Sequence, residues 1–450
     1  MTDTITRAAT ASALYRAVWR WHFFAGLLVL PFMILIAVTG ALYLFKDEIN
    51  GALYRDLYYV TPQAAEPLLP SDLAARALER QPGTLKAYVP AAARDRSAQV
   101  KIRTDTGGTE VLFVNPYDGT VLGSAWDAGF AGSTFMWTVR KLHSLEYAGW
   151  LGNRIVEAVA GWAVLLVVTG VFLWWPRGRN VGVMRVRRTT GRGFWRDLHA
   201  VTGLYVGAFI VFLAMTGLPW SGIWGKQFYD LSYAAGLGMP DGYWGSYPTS
   251  TVPTGDALER TPWILENQPM PVSGAAEGVP AGVDAIVATV EALGIHPGYV
   301  LSMPGGPEGV YTASVYPDDI TYERVIHLDQ YSGEVLFDMG LEDLGALGRA
   351  AEWGISVHMG QEFGIANQII LLVACVAIVV MAVTGLVMWW KRRPSGTLGA
   401  PQLPSDWRLP RAVLGIGIVA GLFFPLVGLT LLVAVAIELA IVMTSRFRTA

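Results

Sequence analysis

Arg20-Trp21-His22-Phe23-Phe24-Ala25-Gly26 opens an apolar run that closes on Val38-Thr39-Gly40. The same pair of motifs returns as Asp197-Leu198-His199-Ala200-Val201-Thr202-Gly203 and Met215-Thr216-Gly217. In both copies 18 residues separate the histidine from the closing glycine. A second pair follows a longer rule. His143 lies 27 residues before Gly170 in Val168-Thr169-Gly170, and His358 lies 27 before Gly385 in Val383-Thr384-Gly385. Thr169-Gly170-Val171-Phe172-Leu173-Trp174-Trp175 and Thr384-Gly385-Leu386-Val387-Met388-Trp389-Trp390 end these two runs alike. The pattern reads as a duplicated span-loop-span unit, residues 14–178 and 193–393, with the second loop 38 residues longer.

The 450 residues are 53% hydrophobic and 15% charged, with mean hydropathy +0.39. That is too apolar for an ordinary soluble protein and too charged for membrane spans alone. Net charge of -3 carries no nucleic-acid footprint. The single cysteine, Cys375, excludes an internal disulfide, a thiolate-held iron–sulfur cluster and a C-x-x-C-H haem attachment. It reads as a small buried hydrophobe. Seventeen Trp and eighteen Tyr fit aromatic belts at two membrane interfaces.

Apolar cores of span length fall near 23–45, 153–175, 200–220 and 366–390. With their flanks they divide the chain into a first helix 14–45, a lobe 46–142, a second helix 143–178 and a basic loop 179–198. A third helix 199–220, a lobe 221–357, a fourth helix 358–393 and a C-terminal stretch 410–445 follow. As one helix, the apolar residues 412–443 would be about 48 Å long, against a hydrocarbon core of about 30 Å. Phe424-Pro425-Leu426-Val427-Gly428 in its middle favours two helices over one tilted or kinked helix. Arg7, Arg16 and Arg20, the arginines from Arg177 to Arg196, and Lys391, Arg392, Arg393, Arg408 and Arg411 all belong inside by the positive-inside rule. The two long loops then lie outside, in a bacterial periplasm. The first span, too long and without a cleavage site, is expected to be retained.

The loops also match. Asn115-Pro116-Tyr117-Asp118-Gly119-Thr120-Val121-Leu122 parallels Asp329-Gln330-Tyr331-Ser332-Gly333-Glu334-Val335-Leu336, each a tight turn between strands. Helices are expected over 71–81 and 283–293, with strands over 100–104, 111–114, 299–303 and 310–316. Each loop is therefore expected to be a small α+β lobe. Residues 236–282, rich in Gly, Pro, Ser and Thr, read as an irregular excursion.

The lobe closing on Tyr-x-Gly-x-Val-Leu resembles a PepSY domain. Its place between histidine-bearing spans that end in Thr-Gly-x-x-x-Trp-Trp resembles the PepSY-associated transmembrane family, over residues 14–395. The fold expected is an α-helical integral membrane protein. It has a four-span core from two tandem repeats, two periplasmic α+β PepSY-like lobes, and a C-terminal one- or two-helix addition outside the four-span pattern. Members of that family include inner-membrane ferric-siderophore reductases that carry haem.

The histidines point the same way. Topology puts His22 and His199 near the cytoplasmic face. It puts His143 and His358 near the outer face, on helical lead-ins to their spans. Each couple draws one imidazole from each repeat, and six-coordinate haem iron needs two axial ligands on opposite faces. Two haem b groups are therefore expected, ligated by His22 with His199 and by His143 with His358. The plainer reading is four interfacial histidines. A non-haem metal is disfavoured because no carboxylate recurs beside both members of a couple. Gly26, Gly203, Gly149 and Gly364 admit either a close porphyrin or close helix packing. His296 and His327 have no counterpart in the first unit and read as structural. Glu157 and Glu438, acids in apolar runs, are candidates for proton or quinol chemistry or for interfacial pairing. Trp19, Trp21, Trp174, Trp175, Trp389 and Trp390 read as belt residues, with haem stacking the sharper alternative.

No segment carries strand, Gly-x-Gly-x-x-Gly and helix, so NAD(P)H is not an expected donor. Membrane quinol or a separate reductase is. By resemblance, the acceptor is a ferric siderophore or another ferric chelate, and the chain is expected to be a haem-dependent ferric reductase. A membrane-anchored docking or regulatory module without redox chemistry, and a component of an iron or haem transporter, are the alternatives.

Overall fold

Helices of span length need roughly 20 apolar residues, because lipid offers no partner for an open backbone. A computed structural model of the chain describes residues 2–175, 184–239, 249–258, 260–274, 279–396, 398–399 and 411–449. Side chains are described from 14 to 437 within those ranges, apart from 411–414 and 416. Among the described residues four helices are long and apolar enough to cross a membrane: Leu14–Tyr43, Glu146–Trp174, Gly191–Trp220 and Gly364–Arg392. The first continues unbroken through Pro31. Residues 1–41, 141–228 and 369–450 form one compact unit, and residues 42–140 and 229–368 form another.

The first unit is the helical bundle. Ala37, Ala163, Val206, Ile210, Ala374, Cys375 and Ile378 pack together, so all four spans meet in one core. Most of these side chains are small, which lets apolar helices approach where no hydrophobic force drives them together. The C-terminal stretch is two helices, Arg411–Phe423 and Pro425–Thr449. Pro425 opens the second, where its missing N–H costs nothing. A side-chain carbon on Gly428 would lie 2.7 Å from the Gly421 backbone, so the two helices touch main chain to main chain. The first of them, at about 20 Å, is too short to cross a core of about 30 Å. Phe424 and Val427 at the apex pack with Leu218 and Trp224 and close over Gly161 of the second span.

The second unit holds an antiparallel sheet, one face of which carries two helices. Its strands are β1 (Thr84–Val89), β2 (Ala98–Arg103), β3 (Thr109–Val114) and β4 (Val121–Trp126), then β7 (Val300–Ser302), β8 (Val310–Val315), β9 (Arg324–Asp329) and β10 (Val335–Gly340). A separate pair, β5 (Thr249–Pro253) and β6 (Pro269–Pro271), occupies part of the segment read as irregular. The eight-stranded order is β10-β9-β8-β7-β1-β2-β3-β4. Where two lobes were expected, β1 and β7 pair antiparallel, Ala87 opposite Ser302 and Tyr88 opposite Leu301, and join both loops into one sheet. Helices Pro70–Arg80 and Val283–Ala292 lie where the sequence reading put them. They bury Leu73, Ala74 and Ala77, and Ile286, Val287 and Val290, in one shared core with Val100, Leu112, Leu301 and Ile326. The Asp284 carboxylate accepts from the Ser71 amide at 2.8 Å and the Ser71 hydroxyl at 2.6 Å, tying the two helix starts together.

The expected turns close alike. Gly119 donates its N–H to the Asn115 carbonyl at 2.9 Å, and Gly333 to that of Asp329 at 3.0 Å. Asn115 Oδ1 caps the Tyr117 amide and Asp329 Oδ1 caps that of Tyr331. Strand β1 was not anticipated; Pro82-Gly83 just before it reads as a breaker, and Thr-Leu-Lys-Ala-Tyr-Val alternates poorly.

Candidate functional site

His22 sits in the first span and His199 in the third, both half-buried. Their ring centres are 6.5 Å apart and their planes 86° apart. His22 Nδ1 lies 2.9 Å from Thr169 Oγ1 of the second span. His199 Nδ1 lies 3.0 Å from the Met381 carbonyl and 3.1 Å from Thr384 Oγ1 of the fourth. One imidazole thus comes from each half of the bundle, and each is held from behind by the other span of its own half. With Nδ1 engaged in both rings, Nε2 is the nitrogen left to a ligand.

The couple fits the group that the spacing implied. An imidazole nitrogen sits about 2.0 Å from a bound transition metal and about 1.1 Å from its own ring centre, so two axial imidazoles on one metal have centres about 6 Å apart. The observed 6.5 Å is close to that separation. Among the described residues no three or more His, Cys, Asp or Glu side chains converge as a metal cluster. Beside His22, Ala25, Trp162, Leu165, Leu166 and Leu431 line an apolar cavity walled on one side by the C-terminal hairpin. Such walls exclude water and lower the local dielectric.

His143 is the last residue of a helix, Thr134–His143, that leads into the second span. Its Nδ1 lies 3.1 Å from Thr39 Oγ1. Thr39 is 17 residues along the first span from His22, a helical distance of about 25 Å. His143 and His22 therefore occupy opposite ends of the bundle. His358 ends the corresponding helix, Ala346–His358, in the sheet-containing unit, where it is half-buried. A polar cavity lined by Lys46, Asp47, Asp318, Gln361 and Gln368 lies beside Met359 and Gly360, the two residues after His358. Gly149 and Gly364 open their spans with φ of +59° and +55°. The positive φ after each lead-in helix requires glycine there.

The glycines that do meet imidazole belong to the closing motifs. A side-chain carbon on Gly40 would lie 3.2 Å from His143 Cε1, on Gly170 3.4 Å from His22 Cε1, and on Gly385 3.5 Å from His199 Cε1. In sequence these Thr-Gly pairs mark only a spacing; in the fold each touches a histidine of a neighbouring helix. Partners 104, 147 and 185 residues apart leave no short-range signal.

The remaining candidates have plainer places. Glu157 is buried and accepts from the Ile223 and Trp224 amides at 3.0 Å each, capping the helix that begins there, with Arg154 3.7 Å away. The Glu438 side chain, Arg177, Arg179 and Arg408 lie outside the described residues. Arg392 stacks over Trp19 and Phe23, and Arg393 over Trp389 and Trp390, so these tryptophans serve cations at the basic end of the bundle. His296 accompanies Tyr322 on the sheet unit's surface. His327 is fully buried in β9, with Nδ1 2.8 Å from Thr312 Oγ1 and its ring stacked on Phe337. Burial pulls its pKa down to about 3.

Comparison with known families agrees with this architecture. The family model described as the PepSY-associated TM region matches residues 19–392, and the chain belongs to that family. Among curated proteins none matches the chain. The matched region ends at Arg392, so the C-terminal hairpin beside His22 lies outside it.

Proposed function

We propose that the chain is a two-haem electron-transfer protein of a bacterial inner membrane. It reduces ferric siderophores or other ferric chelates on the periplasmic side with electrons from quinol or a separate reductase. The observation that carries this reading is the His22–His199 couple, two imidazoles from different spans at axial-ligand separation with both Nδ1 atoms engaged. His22 and His199 hold the cytoplasmic-side haem b. His143 and His358 hold the periplasmic-side one, a couple proposed on the repeat spacing alone. When bound, each haem accepts and passes on one electron at a time.

The protein's own residues do the rest. The first span separates the two levels by about the thickness of a bilayer core, about 30 Å. Arg20, Arg392 and Arg393 gather at the His22 end, which the positive-inside rule assigns to the cytoplasm. A polar cavity lies beside Met359 and Gly360, the residues after His358, and a hydrophilic chelate would approach there. One electron converts Fe(III) to Fe(II), a poorer match for hard oxygen ligands, and the chelate loosens. Two ferric chelates consume the two electrons of one quinol, which also gives up two protons.

Optical spectra of the purified chain, oxidised and dithionite-reduced, test the reading. A Soret band that sharpens on reduction is expected, with His22→Ala and His143→Ala losing different haem populations. A colourless protein from haem-replete cells, or a reduced protein that no ferric chelate reoxidises, would sink it.

A further inference from the structure

A threonine hydroxyl has one proton to give. Thr169 Oγ1 gives it to the Leu165 carbonyl at 2.7 Å, with that of Leu166 at 3.2 Å. Thr39 gives it to Leu35 at 2.7 Å, with Ile36 at 3.2 Å, and Thr384 to Met381 at 2.8 Å. Thr216 donates likewise to Phe212 at 2.8 Å. Helix geometry imposes this, since the hydroxyl lies over the carbonyl one turn back. Toward the imidazole, each Oγ1 therefore offers only a lone pair. The facing Nδ1 atoms, 2.9 Å away for His22 and 3.1 Å for His143 and His199, must carry the hydrogen. For His199 the Met381 carbonyl at 3.0 Å, which can only accept, demands the same.

We infer that Thr169 and Thr384 are positioning residues that lock His22 and His199 in the Nδ1–H tautomer and leave the Nε2 lone pair to iron, and that Thr39 holds His143 in the same tautomer. Gly170, Gly40 and Gly385 complete the device, because a methyl there would press on Cε1 and push the ring off its threonine. An acceptor behind a ligating imidazole raises its basicity and favours the more highly charged metal. The threonine, polarised by its own donated bond, is a better acceptor than an isolated hydroxyl. The consequence for a haem rests on the proposed function; the tautomer does not.

Two measurements separate the two ideas. Nitrogen NMR of dithionite-reduced, ¹⁵N-histidine-labelled full-length protein should show protonated Nδ1 and unprotonated Nε2 for His22, His143 and His199. Redox titration of Thr169→Val, which keeps shape and removes the acceptor, should shift one midpoint potential positive with haem retained, while Thr169→Ser stays with wild type. Thr384→Val should shift less, because the Met381 carbonyl still accepts from His199. Wild-type protein with hydrogen on Nε2 of these rings overturns the inference, as does a haem-replete Thr169→Val with unchanged potential. Nδ1–H rings in a protein without a Soret band would uphold the positioning role and remove the haem. Should Thr169→Val fail to insert, Thr39→Val makes the same test at His143.

Discussion

The bundle and the sheet each bury an imidazole against a threonine hydroxyl, and only the bundle turns that into a candidate ligand. In the sheet, His327 meets Thr312 across neighbouring strands and faces the ring of Phe337 at 5.5 Å. In the bundle, His22 and His199 meet their threonines across neighbouring spans and face each other. Burial and a hydrogen bond are common to both regions. What differs is convergence: two spans from different halves of the chain bring a second imidazole ring to 6.5 Å, centre to centre. A helical threonine also has its proton taken by its own carbonyl, whereas Thr312 lies on a strand with no carbonyl one turn back. The lesson is that a histidine is better judged by what faces it than by how deeply it is buried.

The largest effect should come from breaking the convergence. His22→Ala or His199→Ala should remove one of two haem equivalents, measured as pyridine haemochrome per chain, while His327→Ala should leave haem content unchanged. An equal haem loss in His327→Ala would erase the distinction drawn here. The sheet variant should instead lose stability by about 2–4 kcal/mol, from a cavity and an unpaired Thr312, read by denaturant unfolding of the full chain.

Titration sharpens the contrast within the sheet unit. Glu352 is buried, accepts from the Trp263 amide at 2.6 Å, and is lifted by burial from an ordinary 4.5 to about 7. Burial, and then the charge of Glu352, raise Glu323 well above its ordinary value too. The folded state therefore keeps a proton that the unfolded chain releases above 4.5. The contribution of Glu352 to stability should fall as pH rises from about 4.5 to about 7 and level off beyond. Glu352→Gln, whose carbonyl can still accept from Trp263, should match wild type near pH 4.5 and exceed it at pH 8 by up to about 3 kcal/mol. Equal melting of both proteins at pH 8 would show that the acid is not held protonated.

The smallest effect belongs to the hairpin that walls the His22 cavity. Trp162 donates its indole N–H to Thr430 at 3.0 Å. Trp162→Phe should cost about 1 kcal/mol, seen as a slightly lower Tm in detergent, with the haem spectrum intact. A loss of the His22 haem population would make the hairpin part of the ligand site instead of its wall.

Much of the fold is legible in the sequence, for local reasons. Apolar length marks the four spans, and the Phe424-Pro425 break divides the C-terminal helices because proline cannot continue a helix but can begin one. Tyr117-Asp118-Gly119 and Tyr331-Ser332-Gly333 mark their turns because glycine alone tolerates φ of +72° at no cost. His143 and His358 were placed on lead-in helices by arithmetic on helical rise. Strand β1 was hidden by the Pro82-Gly83 signal before it. The joining of β1 to β7 was hidden because an edge strand's hydrogen bonds are backbone groups that any sequence supplies.

By itself, then, the order of residues determined which segments are long and apolar enough to cross a membrane, where they turn, and that four histidines recur at matched spacings. Periodicity, chain length and turn chemistry are properties of neighbours in sequence. Only the tertiary structure decided that the two loops share one sheet, that His22 lies beside His199, and that Thr39-Gly40, Thr169-Gly170 and Thr384-Gly385 each meet a histidine of a neighbouring helix. Those are contacts between atoms more than 100 residues apart, and packing alone chooses which side chains meet there.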